Sequence, residues 1–148
     1  MWTPGPAQIV LWLHILAACV WIGGQITIAL LVPILRVQPA LLATATRRYQ
    51  WAAWSAFGVL GITGILNVHN AGISWSHLNQ TTAGRTLEIK LLFVLISGAA
   101  AAVHAFLLAP RASPSRGRAA RLLSALSGGA SLLAAILAAL YGVVIAEH

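Results

Sequence analysis

The chain has 148 residues, of which 59% are apolar and 7% charged, against roughly 25% charged in soluble domains. Its acidic residues are Glu88 and Glu147, and nine basic residues raise the formal net charge to +7. Those basic residues sit in short segments between long apolar runs, so the charge does not form the water-facing basic surface that nucleic-acid binding needs. A single cysteine, Cys19, excludes an intramolecular disulfide framework and a Cys-rich metal site.

Four apolar stretches approach or exceed the roughly 20 residues needed to span a bilayer: about 8–35, 49–68, 87–109 and 122–146. Pro4 and Pro6 precede the first, Pro33 and Pro39 mark its end, and Pro110 and Pro114 follow the third, positions at which helices tend to stop. The expected fold is all-α, an integral membrane four-helix bundle forming a single domain over 1–148. Leu16-Ala17-Ala18-Cys19 has the form of a lipoprotein cleavage box. No Lys or Arg precedes it and the apolar run continues past Cys19, unlike a signal peptide, so the first stretch is expected to remain a helix.

Basic residues set the orientation. The first and third connections share one side of the membrane and carry Arg36, Arg47 and Arg48, then Arg111, Arg116, Arg118 and Arg121; the other side has Arg85 and Lys90. The expected arrangement is a multi-pass protein of the cytoplasmic (inner) membrane, with Arg-rich connections in the cytoplasm and both termini outside.

At helical spacing the polar residues fall into stripes. His14, Ala18, Trp21, Gln25 and Ile28 share a face of the first helix, and Ala56, Leu60, Thr63 and Asn67 a face of the second, with His69 near its outer end. Lys90, Val94, Ser97, Ala101 and His104 line the third. Ser124, Ser127, Ser131, Ala134, Ala138 and Tyr141 line the fourth. These four faces are expected to meet. Small residues such as Gly58, Gly61, Gly64, Gly128 and Gly129 permit close helix packing; a groove accepting a flat macrocycle such as haem is the other reading. Trp2, Trp12, Trp51, Trp54 and Trp75 read as interfacial belts, with Trp21 at mid-depth.

His14 and His104 lie within spans, where an ionisable residue is a functional-site hypothesis by default; a neutral histidine bonded across helices is the alternative. For His69, His77 and His148 a solvated loop position competes. His14 and His104 are expected to differ in height by roughly 15–20 Å at the rise of an α-helix, which predicts two sites or two steps along one path. His69, Asn67, Glu88 or Lys90 could join the upper site, and Ser124, Ser127 or Arg36 the lower. No phosphate-binding loop, dinucleotide fingerprint, zinc-protease helix or nucleophile elbow is present.

Residues 11–24, LWLHILAACVWIGG, resemble the first-helix signature of the copper-resistance protein D (CopD-like) membrane domain. Gly84-Arg85-Thr86-Leu87-Glu88-Ile89-Lys90-Leu91-Leu92 is similar to that family's entry into a later helix, and Thr63-Gly64-Ile65-Leu66-Asn67 also fits. Val103-His104-Ala105-Phe106 with Ala109-Pro110-Arg111 resembles the ending of short stand-alone members. Two positions depart from the pattern: Ala105 stands where Asp is usual and Ala109 where Gly is usual. The missing Asp removes a possible partner for His104.

This resemblance, over about residues 8–121, implies copper handling in the cytoplasmic membrane, with a periplasmic copper chaperone as a possible partner. The related HemJ-like protoporphyrinogen oxidases share the first-helix His and a Lys followed by a His, which raises haem b as a ligand; their Lys-to-His spacing is about one turn shorter than Lys90 to His104. Three readings therefore stand. Copper would be bound or translocated by His14 and His104, with Gln25 and Ser97 between them. Haem b would use His14 and His69 in an electron carrier or haem-dependent oxidoreductase with a membrane redox partner. A structural subunit of a membrane complex would use its histidines as polar contacts. The lipid bilayer is the common partner, and a homodimer is compatible with so thin a bundle.

Overall fold

A computed structural model of the chain describes residues 3–108 and 117–146. Trp2, residues 109–116 with Arg111 and Arg116, Glu147, His148 and the side chain of His77 lie outside the described residues. Among the described residues there are four long helices and no strand. They are α1 (Pro6–Leu35), α2 (Pro39–Asn70), α3 (Thr82–Ala102), which continues into a π-helical turn (Val103–Leu108), and α4 (Gly117–Ala146). A 3-10 turn, Trp75–Gln80, precedes α3. All four helices are long and apolar enough to cross a membrane, so the chain is an all-α, multi-pass membrane protein. Its contacts divide it into two compact units, Met1–Ser76 and His77–His148. Each is a helical hairpin, α1 with α2 and α3 with α4.

The helices are longer than the apolar runs that announce them. The largest difference is α2, which starts at Pro39 rather than near Tyr49. A proline at the first helical position sacrifices only an N–H that would be unbonded there, and its fixed φ suits the first turn; the residue expected to break structure starts it. Polar residues in this early part are satisfied locally, since the hydroxyls of Thr44 and Thr46 donate to the carbonyls of Ala40 and Leu42. Pro33 lies inside α1, two residues before its end, where it leaves the carbonyl of Ala29 without its i→i−4 donor. At its other end α2 closes in a Schellman motif: Gly72 N–H donates to His69 O and Ile73 N–H to Val68 O. Gly72 adopts φ +68°, which glycine accepts without a Cβ penalty.

Inside the first hairpin, Ala17 and Trp21 of α1 and Ala53, Ala56 and Thr63 of α2 are buried. Trp21 anchors an aromatic cluster, its ring centroid 4.6 Å from Phe57 and 5.7 Å from Trp54. Such tilted and edge-on pairs are favourable beyond simple area burial. Trp54 packs against Trp21 and Phe57 within the hairpin, well inside α2. Trp12, Trp51 and Trp75 are exposed. Below the cluster the Tyr49 ring presses on Gly24, where an added Cβ would lie 2.5 Å from Cε2.

The second hairpin is packed differently. Thr81 caps α3 by accepting from Gly84 N–H at 3.0 Å, and Arg85 Nε donates to Asn79 O. Gly84 is buried directly against the Leu78 carbonyl, leaving no room for a Cβ. The Gly84-Arg85 pair therefore clamps the 3-10 turn onto the start of α3. Further along, Ser97 and Ser131 exchange hydrogen bonds: each hydroxyl donates to the other's carbonyl at 2.9 Å, and both residues are 1% exposed. Ala134, Ala135 and Ala138 continue the buried face of α4. The residues expected to line α3 and α4 are all buried or half-buried. In both hairpins Leu30, Ile34, Ile62, Leu95 and Leu126 are more than half exposed, an apolar exterior suited to hydrocarbon.

Candidate functional site

A polar ring inside a membrane helix must find a hydrogen-bond partner, because hydrocarbon offers none. His14 finds one on α2: its Nδ1 lies 2.8 Å from Thr63 Oγ1. Thr63 is 5% exposed and occupies the centre of the face that α2 turns to α1. The next residue, Gly64, faces the imidazole, and a Cβ there would lie in ordinary contact with His14 Cε1 at 3.5 Å.

His104 is held in the same manner by the opposite hairpin partner. It sits in the π-helical turn, a feature that recurs at functional sites, and its Nδ1 lies 2.7 Å from the carbonyl oxygen of Ser124 on α4. A carbonyl can only accept, so His104 Nδ1 carries the proton and, in the neutral ring, Nε2 carries the lone pair. The hydroxyls of Ser124 and Ser127 both stand 3.4 Å from the same nitrogen, and Ser127 Oγ also donates to Ser124 O at 3.0 Å. Gly128 faces the ring, a Cβ there lying 3.4 Å from Cε1 and Nδ1. The Ser124 carbonyl thus gives His104 Nδ1 an acceptor on the facing helix although position 105 is Ala.

The other candidate residues fall around these two anchors. Trp21 is the buried aromatic below His14. Gln25 Nε2 donates to Trp21 O on its own helix. Asn67 is half-buried on α2, while His69 is exposed at the end of that helix, about 9 Å of helix rise beyond Thr63. In the second hairpin Ser97 is committed to Ser131. Lys90 is half-buried and extends over Gly142 of α4, with Nζ 3.0 Å from where a Cβ would stand; Glu88 is exposed.

Among the described residues no three His, Cys, Asp or Glu side chains converge to hold a metal ion, and no buried side-chain polar atom is left without a hydrogen bond. Each hairpin thus presents one imidazole, fixed by its Nδ1 edge to the facing helix and seated against a glycine.

The family model described as Copper resistance protein D matches residues 43–146. The match takes in most of α2, all of α3 and α4, and the residues Thr63, Gly64, His104 and Ser124; α1 with His14 lies before it. No curated protein and no solved structure matches the chain.

Proposed function

The chain belongs to the copper resistance protein D family, and on that premise we propose that it binds copper and passes it on within the cytoplasmic membrane, using His14 and His104 as the metal-handling groups. The observation that carries this reading is the shared anchoring of the two intramembrane imidazoles by Nδ1. A histidine that ligates a metal generally donates its other ring N–H to a fixed acceptor, which orients the ring and raises its basicity.

The donor chemistry fits copper as cargo rather than as a resident cofactor. Imidazole is a good copper ligand, and copper stands at the top of the divalent affinity order. The sulfur donors that retain Cu(I) are nearly absent: the one cysteine, Cys19, is exposed on α1. A station with few donors releases its ion, which a route through a membrane requires. The exposed Arg36, Arg47 and Arg48 toward the tight turn of the first hairpin, and Arg118 and Arg121 at the start of α4, support the reading in which those ends face the cytoplasm and both termini lie outside. We read the two hairpins as parts of one membrane domain.

The test is copper binding by the purified protein in detergent, with metal analysis and a visible spectrum before and after dithionite. The expected result is a copper-binding protein without a haem spectrum, in which His14→Ala and His104→Ala each remove one class of copper site. A Soret band that sharpens into α and β bands on reduction would overturn this reading, as would copper binding untouched by both substitutions.

A further inference from the structure

We propose that Thr63 is a positioning residue that fixes which ring nitrogen His14 presents; the consequence for copper rests on the reading of His14 given above. The argument begins with the Thr63 hydroxyl, which has one proton to give. That proton is directed at the carbonyl of Val59, one turn back on α2, at 2.6 Å; the Leu60 carbonyl is farther away at 3.5 Å. The oxygen is therefore left as an acceptor toward His14, and the 2.8 Å contact to Nδ1 requires the imidazole to donate. Neutral His14 is thereby set as the Nδ1–H tautomer, with the lone pair on Nε2, the same state that the Ser124 carbonyl imposes on His104.

The two hairpins reach that state by different chemistry, and the difference makes the inference testable. At His104 the acceptor is a backbone carbonyl, which no substitution removes. At His14 it is a side chain, so valine at position 63 keeps the shape and deletes the acceptor, whereas serine keeps the acceptor. Thr63 thus acts on copper only through the orientation and tautomer of His14, and it is a tuning position for the first hairpin alone.

The experiment is nitrogen NMR of ¹⁵N-histidine-labelled full-length protein in micelles without metal, with the His14 signals assigned by their loss in His14→Gln. The wild type and Thr63→Ser are expected to carry the proton on Nδ1 and an unprotonated Nε2. Thr63→Val is expected to lose that preference while His104 keeps it. Copper titration should then show the His14 site weakened about 10- to 100-fold in Thr63→Val, largely restored in Thr63→Ser, with the His104 site unchanged. Wild-type His14 protonated on Nε2 would overturn the inference whatever copper does, and so would a Thr63→Val protein with unaltered tautomer. If Thr63→Val does not fold, the wild-type and Thr63→Ser tautomers still decide. The expected tautomers in a protein that binds no copper would uphold the role of Thr63 in setting the ring and overturn the copper reading alone.

Discussion

The two hairpins solve one packing problem with different side chains. The first is closed by Trp21, Trp54 and Phe57, with small residues making room for large rings. The second is closed by a serine pair and a run of alanines, with one Phe93–Tyr141 ring contact at 5.7 Å beside them, so reciprocal polar contacts take the central place that the ring cluster holds in the first. In a bilayer apolar burial gives helices little reason to associate, and both shape fit and interhelical hydrogen bonds are available substitutes. What the two share is the seating of a histidine on the opposing helix by Nδ1, next to glycine. The means of closure is free to vary; the treatment of the histidine is the same.

The comparison can be broken most severely at Trp21. Trp21→Ala removes the centre of the aromatic cluster and is expected to destabilise the protein by about 3 kcal/mol, at the low end for buried Trp or Phe truncations, since lipid lowers the transfer part of the cost. Unfolding in a mixed-detergent titration measures it, and a loss below that of the serine substitutions would show that the cluster does not close the hairpin. Next comes Gly84→Ala, whose Cβ meets the Leu78 backbone carbonyl. Because backbone cannot swing aside, a destabilisation of about 2 kcal/mol is expected, together with faster proteolysis in the 3-10 turn; a neutral effect would remove the clamp role assigned to Gly84.

Smaller effects are expected at the serine pair. Ser97→Ala and Ser131→Ala should each cost about 0.6 kcal/mol, the average measured for interhelical hydrogen bonds in a membrane protein. The double variant should cost less than the sum if the two bonds depend on one another, and a double-mutant cycle reads that coupling. At the small end, Gly64→Ala places its Cβ at an ordinary contact distance from His14 and is expected to change stability by no more than about 0.5 kcal/mol, with His14 retaining its Thr63 bond. Gly128→Ala is tighter against His104, at 3.4 Å. A lower copper affinity at His104 than at His14 across this pair of variants would sharpen the contrast between the seats.

Much of this was legible in the residue pattern. The face of α3 through Lys90, Ser97 and His104 and the face of α4 through Ser124, Ser131 and Ala138 turn inward as their spacing predicts, because polar groups at helical period have only one surface on which to escape lipid. The helix starts were less legible. Pro39 looks like a terminator in a list of residues and is an initiator in the fold, since its effect depends on whether it falls in the first turn or later. The contact of Trp54 with Trp21 and Phe57 was likewise hidden, because it depends on how far inside α2 Trp54 falls and on the register between α1 and α2.

Composition and periodicity by themselves determined that this is a membrane protein of four apolar helices with histidines inside its spans, because the cost of exposing polar groups to hydrocarbon leaves few other arrangements. Only the tertiary structure decided what those histidines lean on. The acceptor for His104 is the carbonyl of Ser124, a group every residue carries and no sequence motif marks. The partner of His14 is a threonine hydroxyl that is also bonded within its own helix to Val59 O. The anchored edge of each imidazole follows from which backbone and side-chain oxygens the facing helix brings within reach, and that depends on the register between helices.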